Sequence, residues 1–405
     1  MKMKRTSLYN IISLSVPLVP IFSIYRFFIE GLSLAEVMMI ILILSYLISK
    51  RIRAMNYIIV FFLFTYLFLS LLLSYNIVGY FYSTNILTRF GKLFIYTIYG
   101  MVVLSSLKYS SNLLKYFNIT GFMLYLGLVT QYIIYALTSR YFVIKIPLIP
   151  YVNDQVSSVD FSYIRSIDFR PSSLFLEPAH FAVFAIFHLL IILYSREITE
   201  RKKLVMGISI SLFALLSTSS TALVVIPIIW ILYYLFISSN TGKKQLYFVT
   251  VLIFLFTIFQ FDIVRDTFDR VINLESIAVT GRVFAGSSLL ASMNARELLF
   301  GVGFGNVATI EYMNSFNLII FYLGRFGIAI FSLISLVVFL RSNRYSKLIL
   351  FVLFLLMGAS PVLFSSNISL IIVLYGIRSS NTNNSLKGNK NEENNSLLFA
   401  PISRV

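Results

Sequence analysis

Hydrophobic residues in this chain come in blocks of bilayer-spanning length separated by short basic stretches. That arrangement constrains the fold more than any motif does. A helix needs about 20 mostly apolar residues to cross the hydrocarbon core of a membrane. Of the 405 residues, 58% are hydrophobic and 12% charged, whereas average proteins are roughly half apolar and a quarter charged. Period-two alternation is absent, which argues against a β-barrel. The pattern predicts an all-α, polytopic integral membrane protein with about twelve transmembrane helices. Their cores fall at 10–29, 34–49, 57–76, 91–107, 117–138, 178–195, 204–218, 221–238, 246–261, 315–340, 346–358 and 360–377.

Charge sets the orientation. Basic clusters occur at Lys50, Arg51 and Arg53, at Lys108 and Lys115, at Arg196, Arg201, Lys202 and Lys203, at Lys243 and Lys244, and at Arg341, Arg344 and Lys347. Each falls on the side of the basic N-terminus, so the positive-inside rule puts both termini in the cytoplasm. The net charge of +17 and pI near 9.8 are explained by this placement, without nucleic acid as a partner. The N-terminus lacks a small-residue cleavage site and is read as a retained first helix. Cysteine is absent, which excludes disulfides and thiolate metal sites. The chain divides into a membrane domain, 1–378, and a polar cytoplasmic tail, 379–405, rich in Asn, Ser and Lys to about Ser396 and expected to be disordered. Two segments, 139–177 and 262–314, exceed simple turns. The topology places both outside the cytoplasm, ordered against the helices.

The outer side is rich in arginine: Arg26, Arg89, Arg140, Arg165, Arg170, Arg265, Arg270, Arg282, Arg296 and Arg325. Arginine's planar fork suits phosphate or carboxylate. The alternative is pairing with nearby acids such as Asp154, Asp168, Asp266 and Glu297.

Four constellations carry candidate chemistry. The first is Arg170-Pro171-Ser172-Ser173-Leu174-Phe175-Leu176-Glu177-Pro178-Ala179-His180-Phe181-Ala182. Pro178 fits an early helix position, so Glu177 and His180 share a face at a helix mouth. There the dipole favours an ionised carboxylate and a neutral imidazole, both proton acceptors. The bland reading is a capping glutamate and a hydrogen-bonded histidine; His188, two turns deeper, is read as a satisfied interior group. The second runs from Arg270 to Thr280-Gly281-Arg282, with Gly281 letting the backbone turn beside a cation. The third is Leu299-Phe300-Gly301-Val302-Gly303-Phe304-Gly305-Asn306. It follows no βαβ strand, so a dinucleotide site is disfavoured. Either backbone amides approaching a phosphate or close packing would explain it. The fourth is Asn314-Ser315-Phe316-Asn317 with Leu323-Gly324-Arg325. Asn314 or Ser315 is a candidate cap. Arg325 would lie about 15 Å along a continuous helix, where it needs protein, a wet cavity or an anionic ligand as partner. Arg89 and Lys92 share one outer helix face, with snorkelling to lipid as the alternative to binding. Ser217-Thr218-Ser219-Ser220-Thr221 forms a polar outer hairpin, read as a turn or as the lining of a sugar path. No DxD, HExxH, GxSxG or Walker A motif occurs, which points to chemistry without a metal or other cofactor.

The Arg170–Ala182 segment resembles one found in bacterial polysaccharide polymerases of the Wzy type. Gly281-Arg282, Leu299–Gly305 and Asn317 resemble the later outer loop and helix of the O-antigen polymerase and ligase superfamily. The resemblance covers about 140–330 and includes an arginine-x10-glycine spacing from Arg270 to Gly281. It implies a C-type membrane glycosyltransferase-like protein of the bacterial inner membrane. Such an enzyme moves a growing undecaprenyl-diphosphate-linked glycan onto the terminal sugar of another lipid-linked repeat unit, in O-antigen or capsule synthesis. On this reading Glu177, His180 and Arg282 are catalytic, and Arg89, Arg165, Arg170, Arg270, Asn317 and Arg325 bind diphosphate or glycan. Lipid-linked oligosaccharide, membrane lipid and a chain-length regulator protein are the expected partners. Two rivals stand beside it, an O-antigen ligase and a non-enzymatic lipid-linked oligosaccharide flippase. Ligases carry a histidine in the late outer loop, and 262–314 contains none. A flippase would spread charges along several spans rather than gather them in two outer loops.

Overall fold

In the computed structural model, residues 5–29, 31–49, 64–72, 75, 86–107, 112–152, 169–195, 198–236, 241–258, 260–272, 290–306, 314–342 and 344–374 are described. Helices dominate: α1 (Arg5–Phe22), α2 (Leu34–Ser49), α3 (Ile86–Leu107), α4 (Leu113–Thr138), α5 (Pro178–Tyr194), α6 (Glu200–Leu216), α7 (Ser220–Phe236), α8 (Thr241–Ile258), α9 (Asp262–Ile272), α10 (Ala295–Phe300), α11 (Ser315–Arg341) and α12 (Arg344–Ala359). The β pairings among the described residues are two isolated bridges, Tyr25 with Tyr151 and Arg26 with Ser33.

Three helices, Ile86–Ser106, Leu113–Thr138 and Ser315–Arg341, are long and apolar enough to cross a membrane, and six shorter apolar helices accompany them. These features point to a membrane protein. Phe326, Ile330, Leu333, Ile334, Val337 and Leu340 of α11 are exposed. Water would penalise that surface, and lipid would not.

Helix positions follow the expected blocks, with two departures. The first block, expected over 10–29, ends its helix at Phe22. Beyond it the chain turns so that Tyr25 and Arg26 can pair with Tyr151 and Ser33. The last block, expected over 360–377, opens with a 3-10 turn at Val362–Phe364 before helical residues 367–374. Ser315 ties that turn down, donating to the Ser360 carbonyl (2.9 Å) and accepting from the Leu363 amide (3.3 Å). The expected span at 57–76 lies only partly within the described residues, as helical residues 64–72. The tail 379–405 lies outside them.

The core centres on α5, buried on every side from Phe181 to Leu193, as befits a helix that is apolar all round. It packs against α4, α6, α7 and α12. Small residues allow the close contacts. A Cβ on Gly207 of α6 would come within 2.7 Å of the Trp230 ring of α7, and the Trp230 indole donates to the Ser211 hydroxyl (2.9 Å).

Helix α11 is broken at Gly324, whose φ of 67° and ψ of −169° lie outside the helical region. The break leaves upstream carbonyls without helical donors. The glycine-rich segment after α10 supplies replacements: the Val302 amide donates to the Phe321 carbonyl (2.9 Å) and the Gly303 amide to the Tyr322 carbonyl (3.1 Å). Both segments need glycine at the crossing. A Cβ on Gly324 would strike the Leu299 carbonyl, and one on Gly301 the Tyr322 carbonyl. Gly324→Ala is therefore expected to lower stability by more than about 4 kcal/mol, through backbone collision at a positive φ. Gly91→Ala, whose Cβ meets nothing within 4 Å, should stay within about 1 kcal/mol. Thermal unfolding of the two detergent-solubilised variants measures the contrast.

Candidate functional site

Several connections meet at one end of the helix array. Hydrogen bonds from the Arg26 amide to the Pro150 carbonyl (2.8 Å) and from the Val152 amide to the Ile24 carbonyl (2.9 Å) join the α1–α2 link to the segment after α4. Tyr25, fully buried, donates to the Leu174 carbonyl (3.3 Å) and accepts from the Ile146 amide (3.3 Å). Tyr132 of α4 donates to the Leu216 carbonyl at the end of α6 (2.6 Å). Burial raises the Tyr25 phenol above its ordinary pKa.

The Arg170–Glu177 segment is held by one glutamine. Gln131, fully buried in α4, accepts from the Ser172 amide (3.0 Å) and the Ser173 amide (2.8 Å). Its amide nitrogen donates to the Phe142 carbonyl (2.9 Å) and the Tyr141 hydroxyl (3.3 Å). One turn earlier, Gly127 leaves room for Ser173, whose hydroxyl would lie 2.5 Å from a Cβ there. Ser173 turns the chain with a φ of 54°, and Phe169 stacks on Tyr135 with ring centroids 4.0 Å apart. Gln131 is absent from the constellations read in the sequence. A lone amide in an apolar span is the signal that could have found it, because such a group needs a partner.

This scaffold delivers the chain to α5. Glu177 is its N-cap and Pro178 its first residue, and the Glu177 side chain makes no capping hydrogen bond. The capping role for its carboxylate is thereby set aside. Glu177 is half-buried and His180 exposed. The two lie in the first turn of one helix end. Arg170 is half-buried, with its Nε enclosed. His188 is a satisfied interior group, as its position in the sequence suggests. Its Nδ1 pairs with the Tyr125 hydroxyl and its Nε2 with Asn118 Oδ1, both at 2.9 Å. Gly121 clears space for the ring.

Arg89 points inward rather than to lipid, donating to the Gly305 carbonyl (2.9 Å) and hydrogen-bonding Tyr322. It thus pins the glycine segment against α11. The amides of Val302 and Gly303 are committed to α11 carbonyls, so the packing account of that segment holds for these two. Lys92 pairs with Glu36 Oε1 (3.3 Å) instead of snorkelling. Glu36 also accepts from the Tyr96 hydroxyl and from the Ser33 amide (2.6 Å). Ser33-x-x-Glu36 before an apolar run is a capping-box pattern, a signal readable in the sequence but not singled out there. Glu297, expected among the partners of outer arginines, likewise serves as a helix cap, accepting from the Asn294 amide (2.9 Å).

The fourth constellation separates. Asn314 is the N-cap of α11, accepting from the Asn317 amide (2.8 Å), and Asn317 is half-buried. Arg325 is exposed, the first residue of a second helical half beyond the break at Gly324. Arg270 lies in α9, which packs against α6 and α7. Arg165 and Arg282 lie outside the described residues. No group of three or more His, Cys, Asp or Glu residues that could hold a metal occurs among the described residues.

Comparison with protein families, curated proteins and solved structures finds no match.

Gln131→Leu keeps the side chain's bulk and deprives two buried amides of their acceptor. Its expected cost is about 2–5 kcal/mol, with faster proteolysis within 169–177. Gln131→Glu retains the acceptor but replaces the donor to the Phe142 carbonyl, so it should lose less than Gln131→Leu at low pH, where a protonated carboxyl can donate there. Limited proteolysis with thermal unfolding tests this order.

Proposed function

We propose that this protein is a polysaccharide repeat-unit polymerase of the bacterial inner membrane, with both termini cytoplasmic and the reaction on the extracytoplasmic side. It would transfer an undecaprenyl-diphosphate-linked glycan onto the terminal sugar of another lipid-linked repeat unit. The observation that carries the reading is the mouth of α5. There a half-buried carboxylate and an exposed imidazole occupy one helical turn, on a segment clamped by Gln131. The resemblance of that segment to Wzy-type polymerases gives the geometry its substrate class.

The chemistry has two needs. A sugar hydroxyl attacking an anomeric carbon must lose its proton, and Glu177 or His180 is placed to accept it. The departing diphosphate must be stabilised by cations, a role assigned to Arg282 with Arg165, Arg170 and Arg270. Arg325, exposed at the start of the second half of α11, is a further cation for the glycan or diphosphate, with Asn317 on the same helix. Arg89, turned onto the glycine segment, serves this reading more naturally as a positioning residue.

His180→Ala and Arg282→Ala are each expected to abolish long chains while protein levels hold. Glycan banding on gels should then show single repeat units still attached to the surface. Normal ladders in both variants would overturn the assignment. Long lipid-linked chains in a deletion strain would indicate a ligase, and repeat units left facing the cytoplasm a flippase.

A further inference from the structure

The α6–α7 turn is built from hydroxyl residues and is buried. Ser217, Thr218 and Ser219 are each at most 2% exposed. The Ser217 hydroxyl is accounted for, donating to the Ala214 carbonyl (2.6 Å). Thr218 Oγ1 and Ser219 Oγ are enclosed and have no hydrogen-bond partner. Buried hydroxyls without partners are rare in folded proteins, because each gave up water for nothing. Thr218 also has a φ of 56°, a conformation that β-branched residues seldom adopt.

Ser219 directly precedes α7, a helix of 17 residues. Its carbonyl accepts from the Leu223 amide (3.1 Å), which makes it the N-cap. A serine there ordinarily turns its Oγ to the first-turn amides, and this one does not. The place therefore gathers two unclaimed hydroxyls and the amide-rich, positive end of a helix dipole. Every group on offer can donate a hydrogen bond, and the complement of such a set is an oxyanion.

We infer that the Thr218–Ser219 turn, with the N-terminus of α7, binds an oxyanion group, a phosphate or a carboxylate. The turn adjoins the candidate site. Tyr132, bonded to the Leu216 carbonyl, also packs edge-on against Phe169 with ring centroids 4.9 Å apart, immediately before Arg170. The oxyanion site stands on this geometry alone. On the polymerase reading its occupant is the lipid diphosphate or an acidic sugar of the glycan.

The test is thermal unfolding of the purified full-length chain in detergent, alone and with inorganic pyrophosphate, a polyprenyl phosphate in mixed micelles, or glucuronate. The variants are Thr218→Val, Ser219→Ala and Ser219→Thr. Without ligand, Thr218→Val and Ser219→Ala should unfold at or above the wild-type Tm, because each removes an unpartnered hydroxyl. The wild-type Tm should rise with at least one probe. That rise should need about tenfold more probe in Thr218→Val and Ser219→Ala and be retained in Ser219→Thr. A response to the phosphates assigns phosphate, and one to glucuronate assigns carboxylate. The inference is overturned if no probe stabilises the wild type or if the shift is unchanged in both hydroxyl deletions. It is also overturned if those deletions lower the ligand-free Tm, which would mean the hydroxyls hold structural water. No glycan is read in this assay, so its outcome is independent of the polymerase test.

Discussion

A buried polar group in an apolar surrounding must find its hydrogen-bond partner within the protein, and this requirement organises the whole chain. Unpaired amides and carbonyls are costly away from water and costlier still in hydrocarbon. Gln131 meets the requirement for the Ser172–Ser173 turn. The glycine segment after α10 meets it for the break in α11. Tyr96, Lys92 and the Ser33 amide meet it for the Glu36 carboxylate. In each case one polar side chain or backbone segment fixes the position of a separate helix.

The candidate site inherits its rigidity from these pairings. Glu177 and His180 stand on a helix whose body is buried on all sides, and the segment leading to them is bonded to α4 and to Tyr25. On the proposed reading, such a frame would hold a base close to its substrate, which is what proximity effects require. Pairing fails at the buried hydroxyls of Ser173, Thr218 and Ser219, and the last two stand at a helix N-terminus, the ground on which we infer an oxyanion there.

Much of the fold is legible in the order of residues. The block at 34–49 coincides with α2, and that at 178–195 differs from α5 by a single residue. Apolar block length and proline at a first helical position are local properties, so a linear reading reaches them. The first block misleads, because the exit of α1 is set by bridges to Tyr151 and Ser33, residues outside the block itself. The break in α11 at Gly324 escapes a linear reading for a similar reason, because it depends on a glycine segment lying before α11 in the chain. For Arg89 and Lys92 the linear reading offers binding or snorkelling, and it misses their partners, the Gly305 carbonyl and Glu36, because these are distant in sequence.

The sequence by itself determined the helical class, the apolar helices suited to a membrane, and the place of Glu177 and His180 at the mouth of α5. Periodicity, block length and capping chemistry are written in neighbouring residues. Only the tertiary structure decided which polar groups turn inward and which lie at the surface. Gln131, Glu36 and Arg89 turned inward to partners, while His180 and Arg325 are exposed. Those outcomes depend on close approach between segments far apart in the chain, and hydrogen bonds are satisfied in space rather than along the sequence.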